Sequence, residues 1–273
     1  MKTILFPTDF SENANHAMQF ALQLAKDFDA RLHIINTYQI PYATSVPNVY
    51  NLLEALKKNS IDDLNKCVNG IKSNPDYNNL NITHDAIAGD LINAIAEIES
   101  NHSIDLIVLG TKGASGIKEI LIGSNAEQVV YHSKSSVLVV PNQTTEFSFN
   151  NITLASDLTP VDEKKFNTFV SLCKKYQTKV TVVSIQTKNS VNENETTNHH
   201  QLNEILSGLE HQFQMIKNDD ITNSLNSFVE ENQSNILALI SKKYSFFENI
   251  FHKSITNKLA CHTKIPIFVI KEK

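Results

Sequence analysis

The chain alternates short apolar runs with longer segments in which apolar residues recur every three or four positions. The short runs have the length and the β-branched content of buried strands, and the longer segments have the period of amphipathic helices. In the first helical segment, Ala14, Met18, Ala21 and Ala25 fall on one face. Strands that alternate with helices in this way predict a parallel sheet that is covered by helices on both faces.

The first half of the chain contains five strand segments and four helical segments. The strands are predicted at residues 3–9, 31–37, 82–88, 105–109 and 136–140, and the helices after Ser11, over 50–72, through 91–98 and from Ser124. Ligands of parallel sheets bind outside the carboxyl ends of the strands, so residues at those ends are candidates for a binding site. They are Asp9, Thr37, Gly89 and Gly110.

The second half of the chain repeats the pattern of the first. Residues 152–157 restate residues 4–9, and residues 237–270 overlay residues 107–140 without a gap. A repeat of this length indicates that one fold has been duplicated.

The repeat divides the chain into two predicted domains, at residues 1–142 and 151–273. Residues 143–150 between them are polar and show neither a helical nor a strand period, so they form the predicted linker.

Four of the seven glycines of the chain lie in one stretch directly after an apolar run. Two residues separate Gly110 from Gly113, nine separate Gly113 from Gly123, and Ser124 follows directly. Glycines allow backbone amides to approach an anion closely. Ser124 and Glu127 have the spacing of a capping box, which predicts a helix whose free amides point towards the glycines. The stretch is therefore predicted to hold phosphate, with a flexible surface loop as the alternative.

The glycine spacing is neither that of a Walker A loop nor that of a dinucleotide-binding fingerprint. It resembles the ATP-binding motif of the universal stress protein family, and both halves of the chain resemble the domains of that family. The resemblance implies an α/β fold of two Rossmann-like, adenine nucleotide α-hydrolase-like domains, each a five-stranded parallel sheet with helices on both faces. It also implies ATP as the ligand, and any Mg²⁺ would be held mostly by phosphate oxygens and water.

The family motif suggests a role for each candidate residue of the first half. Asp9 would contact the ribose and adenine side, and Thr37 would meet adenine through its backbone. Lys112 would neutralise phosphate charge or point to solvent. Asn125 stands where the family commonly has a small apolar residue, but its backbone amide remains usable. The full set of candidate site residues is Asp9, Thr37, Gly89, Gly110, Lys112, Gly113, Gly123, Ser124 and Asn125.

The second half lacks the phosphate-loop glycines. In the overlay, Gly89, Gly110, Gly113, Gly116 and Gly123 become Asp219, Ile240, Lys243, Phe246 and Lys253. This half is therefore predicted to keep the fold and to bind no nucleotide. Its polar segment 191–200 is predicted to be mobile, and its second helix to be shorter than the helix at 50–72. The aromatic residues of segment 244–251 are predicted to fill the vacant pocket, with a partner-docking patch as the alternative.

Composition narrows the class of protein further. The chain has 273 residues, of which 41% are hydrophobic, and a formal net charge of −5. These values predict a globular protein and argue against nucleic acid as the main partner. With no signal region and no apolar run long enough to span a bilayer, we expect a cytoplasmic protein without a membrane partner. Three isolated cysteines and the pair His199–His200 have no metal-ligand spacing, so no metal site is predicted.

The leading functional hypothesis is an ATP-binding stress-response protein that acts as a sensor or regulator through nucleotide-dependent conformation and an unidentified protein partner. No catalytic residue is assigned, because the loop region offers no complete set of metal ligands and no residue that would orient a nucleophile. A slow ATPase or nucleotidyl-transfer enzyme is the first alternative. A dimerising scaffold without a ligand is the second.

Assembly follows from the resemblance, because single-domain members of the family pair through their final strands. The matching segments here are residues 136–140 and 266–270, both apolar. An unpaired apolar edge invites association, so the two segments are predicted to pair within one chain. The chain would then form an intramolecular pseudo-dimer, and further pairing of chains into a homodimer is compatible with this arrangement but not required.

Overall fold

A computed structural model of the protein describes residues 1–39, 49–111, 124–188, 195–241 and 264–272. The strands of these residues are β1 Thr3–Pro7, β2 Arg31–Tyr38, β3 Ile82–Ala88, β4 Leu106–Gly110, β5 Ser136–Val140, β6 Asn151–Ala155, β7 Lys179–Gln186, β8 Glu210–Lys217, β9 Ile236–Ser241 and β10 Ile267–Lys271. The helices are α1 Glu12–Phe28, α2 Val49–Ser73, α3 Leu91–Asn101, α4 Ser124–His132, α5 Asn167–Tyr176, α6 Glu195–Ile205 and α7 Ile221–Glu231, with a 3-10 helix at Glu163–Phe166.

The strands form one continuous sheet in the order β3-β2-β1-β4-β5-β10-β9-β6-β7-β8. Within β1 to β5 every pairing is parallel, and the same holds within β6 to β10. The sequence-based prediction of two five-stranded parallel units is therefore confirmed.

The two units join through their final strands, which pair antiparallel. Val139 of β5 lies opposite Ile267 of β10, and Val137 lies opposite Val269. Val139 and Val269 are 1% and 0% exposed, so the seam is part of the core. The predicted pairing of these strands within the chain is confirmed. Because the pairing is antiparallel, the carboxyl ends of the strands of the two units lie at opposite edges of the sheet.

Helices cover both faces of the sheet, as the alternating pattern predicts. One apolar cluster packs α1, α2, α5 and α6 against the sheet, through residues such as Ala17, Leu64, Phe169 and Leu202. The other packs α3, α4 and α7 against the opposite face, through residues such as Ile95, Val129 and Leu225. Among the helices of the described segments, none is long and apolar enough to span a bilayer.

The connection between the units differs from its prediction as a polar linker. Phe149 is only 1% exposed, and Phe147 packs with its ring centroid 5.2 Å from that of Phe20 on α1. Phe149 also stacks on Tyr176 of α5, at 5.0 Å and 15°. A serine separates the two phenylalanines, which is the alternation expected of a half-buried extended strand. Three residues are too few to be recognised as a strand among polar neighbours. The connection is thus part of the core.

The segment 191–200 also requires a correction. Residues 195–200 belong to α6, and the ring of His199 lies 3.8 Å from that of Phe213 on β8. The prediction of a mobile polar segment is therefore wrong for these six residues, while 191–194 lie outside the described residues. The prediction of a shorter second helix is confirmed, since α6 has 11 residues and α2 has 25.

Candidate functional site

The carboxyl ends of the first four strands meet at one edge of the sheet. β1 lies between β2 and β4, so the chain winds to one side of β1 and then crosses to the other. At such a reversal, parallel α/β sheets bind ligands outside the carboxyl ends of the two strands concerned, which are β1 and β4 here. The candidate residues of the described segments lie at this edge or at the start of the helices that follow it.

Asp9 lies in a tight turn between β1 and α1. Its Oδ1 accepts a hydrogen bond of 3.0 Å from the backbone N–H of Ser11, and the hydroxyl of Thr8 accepts one from that of Phe10. Phe10 has a φ of 59°, a left-handed conformation that is unusual for a large side chain. Ser11 in turn caps α1 by accepting from the backbone N–H of Ala14. The turn uses one carboxylate oxygen of the exposed Asp9, and Oδ2 accepts no hydrogen bond from the residues that the structure describes.

Two polar residues, the half-buried Asn36 and the buried Ser60, support the backbone of this turn. The side-chain amide of Asn36 on β2 donates a 2.7 Å hydrogen bond to the carbonyl of Thr8, and the hydroxyl of Ser60 on α2 donates one of 2.6 Å to Oδ1 of Asn36. Neither residue was predicted from the sequence, because a single Asn in a strand and a single Ser in a helix have no recognisable spacing. Together they connect α2 to the backbone that precedes Asp9.

Thr37 and Gly89 lie at the ends of the next two strands. Thr37 is half-buried on β2, opposite Ile87 of β3. Gly89 is exposed, with a φ of 124° that L side chains rarely adopt, and its N–H donates to the carbonyl of Tyr38. Asp90 then caps α3, accepting from the backbone N–H groups of Ile92 and Asn93. The glycine therefore makes the turn from strand to helix possible.

Gly110, the last residue of β4, lies directly against the start of α1. A Cβ atom at this position would lie 2.6 Å from the backbone carbonyl oxygen of Asn13. Because that neighbour is backbone, it has little freedom to move away. Helix packing alone therefore requires a glycine here, independently of any contact with a ligand.

Thr111 follows Gly110 and was not among the residues that sequence analysis selected. It is 2% exposed, and its N–H donates to the carbonyl of Val140. Its Oγ1 is buried and has no hydrogen-bond partner within the described part of the chain. A buried hydroxyl without a partner costs about 1–3 kcal/mol, so it needs an explanation. No sequence signal distinguished Thr111 from the other polar residues of the glycine-rich stretch.

The remaining candidate residues lie within or directly after residues 112–123, which the structure does not describe. Lys112, Gly113 and Gly123 fall outside the described residues, as does the aromatic segment 244–251 of the second half. Ser124 and Asn125 are exposed at the start of α4, in agreement with the predicted helix. No group of three or more His, Cys, Asp or Glu side chains that could hold a metal ion occurs in the described segments.

The second half repeats the turn after its first strand. Asp157 accepts from the backbone N–H of Thr159, and the hydroxyl of Ser156 accepts from that of Leu158. Leu158 has a φ of 51°, close to the value at Phe10. This turn is therefore a feature of the duplicated fold and not, by itself, a sign of nucleotide binding.

Beyond that turn, the two halves diverge. Strand register places Ile240 at the position of Gly110, since Ile152 pairs with Ile236 as Ile4 pairs with Leu106. The first helix of this half begins differently, because the 3-10 helix Glu163–Phe166 precedes α5. The isoleucine side chain is 2% exposed and belongs to the core of this half.

Other side chains occupy the corresponding edge of the second half. The side-chain amide of Gln201 on α6 makes hydrogen bonds to both the N–H and the carbonyl of Val161, at 3.1 and 2.7 Å. At the end of β8, Asn218 makes the hydrogen bond to Gln186 that Gly89 makes to Tyr38. The next residue, Asp219, accepts from the backbone N–H of Lys188, which holds the pKa of this carboxyl below its usual range.

Comparisons with known proteins agree with this geometry. The model of the universal stress protein family matches residues 1–141. A universal stress protein of Methanocaldococcus jannaschii is 32% identical over 142 residues, which cover 51% of this chain and 81% of that protein. A second from the same organism is 28% identical over 153 residues, with 51% and 94% covered. The crystal structure of a universal stress protein from Archaeoglobus fulgidus DSM 4304 has the same fold, with a TM-score of 0.75, 18% identity and coverage of 99% of this chain and 98% of that chain.

Proposed function

Since this chain belongs to the universal stress protein family, we propose that it binds one ATP molecule at the carboxyl edge of its first half and acts as a sensor or regulator. Nucleotide-dependent conformation would control its contact with a protein partner. The second half keeps the fold and binds no nucleotide. This division of roles follows from the glycines, which are retained in the first half and replaced in the second.

The observation that carries the proposal is the buried hydroxyl of Thr111, which has no hydrogen-bond partner among the residues that the structure describes. It lies at the end of β4, beside Gly110 and next to the strand at which the sheet changes its winding direction. A ligand atom bound at this edge would supply the missing hydrogen bond. This feature supports a polar ligand in a way that the turn at Asp9 does not, because the second half has the same turn.

The residues at the edge suit the parts of an adenine nucleotide. Asp9 offers Oδ2 to ribose hydroxyls, since Oδ1 is already held by Ser11. Thr37 offers its backbone to adenine, and the N-terminal amides of α4, at Ser124 and Asn125, would face phosphate. Lys112, Gly113 and Gly123 complete the proposed set from the sequence. Mg²⁺ would accompany the triphosphate mostly through phosphate oxygens and water.

Calorimetric titration with ATP tests the proposal through two matched variants. D9A and D157A each remove a carboxylate that accepts from the backbone N–H two residues later, and D157A also removes the hydrogen bond from the hydroxyl of Thr159, so the control loses at least as much structural contact. We expect wild type to bind one ATP per chain, and D9A to bind at least about tenfold more weakly, because a hydrogen bond to a charged group contributes about 1.5–3 kcal/mol. D157A should bind like wild type.

Three outcomes would contradict the proposal. Two equivalent sites per chain would mean that the second half also binds nucleotide. Equal loss of affinity in D9A and D157A, together with equal loss of stability, would mean that Asp9 only maintains the fold. ATP turnover on the order of 1–1,000 per second would indicate an enzyme and not a regulator.

A further inference from the structure

Lys271, the last residue of β10, connects the second half of the protein to helix α4 of the first half. It is 2% exposed, and its Nζ donates hydrogen bonds of 2.6 Å to the carbonyl of Val130 and 3.4 Å to that of Tyr131. These carbonyls belong to the last turn of α4. A cation from the second half is therefore buried at the C-terminus of a helix in the first.

The position of the Lys271 ammonium suits the C-terminal end of a helix. The last carbonyls of a helix have no partner within it and carry a partial negative charge. The N–H of Ser133 satisfies the carbonyl of Val129, and Lys271 reaches the next two. A buried ammonium is unfavourable unless such acceptors compensate for its lost hydration. The repeat places Pro141, which has no cationic side chain, at the equivalent position of the first half, so the arrangement is not a by-product of duplication.

Helix α4 depends on contacts of this kind. It has 9 residues, and isolated helices of that length are marginal in water. Ala126 and Val129 are buried in the same apolar cluster as Val137 of β5 and Val269 of β10. The second half thus contributes both to the apolar cluster in which α4 is buried and to the hydrogen bonds at its C-terminus.

The other end of α4 is the proposed phosphate contact at Ser124. A helix of this length is about 13 Å long and moves as a rigid element, so a shift at its C-terminus displaces its N-terminal amides. We infer that Lys271 is a positioning residue for the nucleotide site, and that the second half, which binds no nucleotide, holds the phosphate-binding helix of the first half in place. The inference rests on the proposed function for its effect on ATP affinity, but not for its effect on α4.

The test compares K271M, K271R and K264M in the full-length chain. K271M keeps the apolar part of the side chain and removes the donor and the charge, while K271R restores both. Lys264 is an exposed lysine shortly before β10, so K264M controls for the loss of one positive charge. Each variant is titrated with ATP, and amide hydrogen exchange of residues 124–135 is measured without nucleotide. If K271M does not fold, K271Q, which keeps an N–H donor without the charge, takes its place.

We expect K271M to bind ATP roughly tenfold more weakly, with faster exchange in α4 and unchanged exchange in β1 and α1. K271R should restore the ATP affinity and the exchange rates of α4, and K264M should leave both at the wild-type level. Unchanged exchange in the α4 of K271M would overturn the inference, and so would weaker binding in K271M and K264M alike. If wild type binds no ATP, the proposed function fails, and the exchange data alone decide whether Lys271 positions α4.

Discussion

The phenol of Tyr176 on α5 donates a 2.6 Å hydrogen bond to Oδ2 of Asp27 on α1, across the boundary between the two halves. Oδ1 of the same carboxylate accepts from the side-chain amide of Gln23, at 2.9 Å. The ring of Tyr176 also packs edge-on against Phe28 and stacks on Phe149. The end of α1 is therefore attached to the second half, while its start packs against Gly110 at the candidate site.

Because of this contact, we expect the stability of the protein to decrease at alkaline pH. Burial, together with the hydrogen bond and charge of Asp27, raises the pKa of Tyr176 above its ordinary value near 10. Above about pH 10 the unfolded chain releases the phenolic proton while the folded chain retains it, so stability falls as pH rises. We expect denaturant unfolding between pH 8 and pH 11 to show a smaller alkaline loss of stability in Y176F than in wild type. Identical slopes in both proteins would show that Tyr176 does not contribute.

The connection between the halves should contribute to stability as a core element does. Phe149 is 1% exposed, and truncating a buried phenylalanine costs about 3–5 kcal/mol. We therefore expect F149A to lower the free energy of unfolding by that amount in urea denaturation. E146A, in the same segment, should change it by less than about 0.5 kcal/mol, as surface substitutions usually do. If F149A has as little effect as E146A, the connection is a simple tether.

Repetition and hydrophobic period were sufficient to predict the alternating strands and helices of the two units, and the family resemblance predicted that their final strands pair, but the antiparallel direction of that pairing is seen only in the structure. Each of those strands and helices depends on many residues, so its hydrophobic pattern in the sequence is easy to recognise. Phe147 and Phe149 were missed because two residues are too few to establish a period. Asn36, Ser60 and Thr111 were missed because their role depends on which backbone atoms the fold brings beside them, and sequence spacing carries no such information.

Gly110 was selected as a phosphate contact, and the structure gives it a second role that can be measured separately. A Cβ atom there would lie 2.6 Å from the carbonyl oxygen of Asn13, and overpacking of this kind costs about 1–3 kcal/mol. We expect G110A to lower the free energy of unfolding by that amount in the absence of nucleotide. Gly70 in α2 provides the control, because a Cβ there would meet nothing within 4 Å. G70A should instead stabilise the protein by about 0.5–1 kcal/mol through its higher helix propensity.

The two cysteines of the described segments should differ in reactivity. Burial raises the pKa of Cys173 to about 12, so almost none of it is thiolate at neutral pH. Burial also raises the pKa of Cys67, which is only partly covered. After brief treatment with iodoacetamide at pH 8, mass spectrometry of peptides should find Cys67 modified slowly and Cys173 unmodified. Both should react fully in denaturant. Modification of native Cys173 at the rate of Cys67 would contradict the buried position of α5.

Thr111 offers a test in which stability and affinity are expected to change in opposite directions. Its Oγ1 is buried and has no partner in the described segments, so T111V, which replaces the hydroxyl by a methyl group of similar size, should stabilise the nucleotide-free protein by about 1–3 kcal/mol. If ATP supplies the missing hydrogen bond, the same variant should bind ATP more weakly. Urea denaturation and calorimetric titration of one preparation measure both effects.

A buried threonine of the second half provides the matched control. Oγ1 of Thr153 shares a 2.6 Å hydrogen bond with the hydroxyl of Ser234, so T153V removes this bond and leaves the serine hydroxyl only the bond that the side-chain amide of Asn232 donates to it. This variant should destabilise the protein by about 1–3 kcal/mol and leave ATP affinity unchanged. If T111V gains stability and still binds ATP like wild type, the hydroxyl of Thr111 does not meet the nucleotide, and the observation on which the proposed site rests would have to be abandoned.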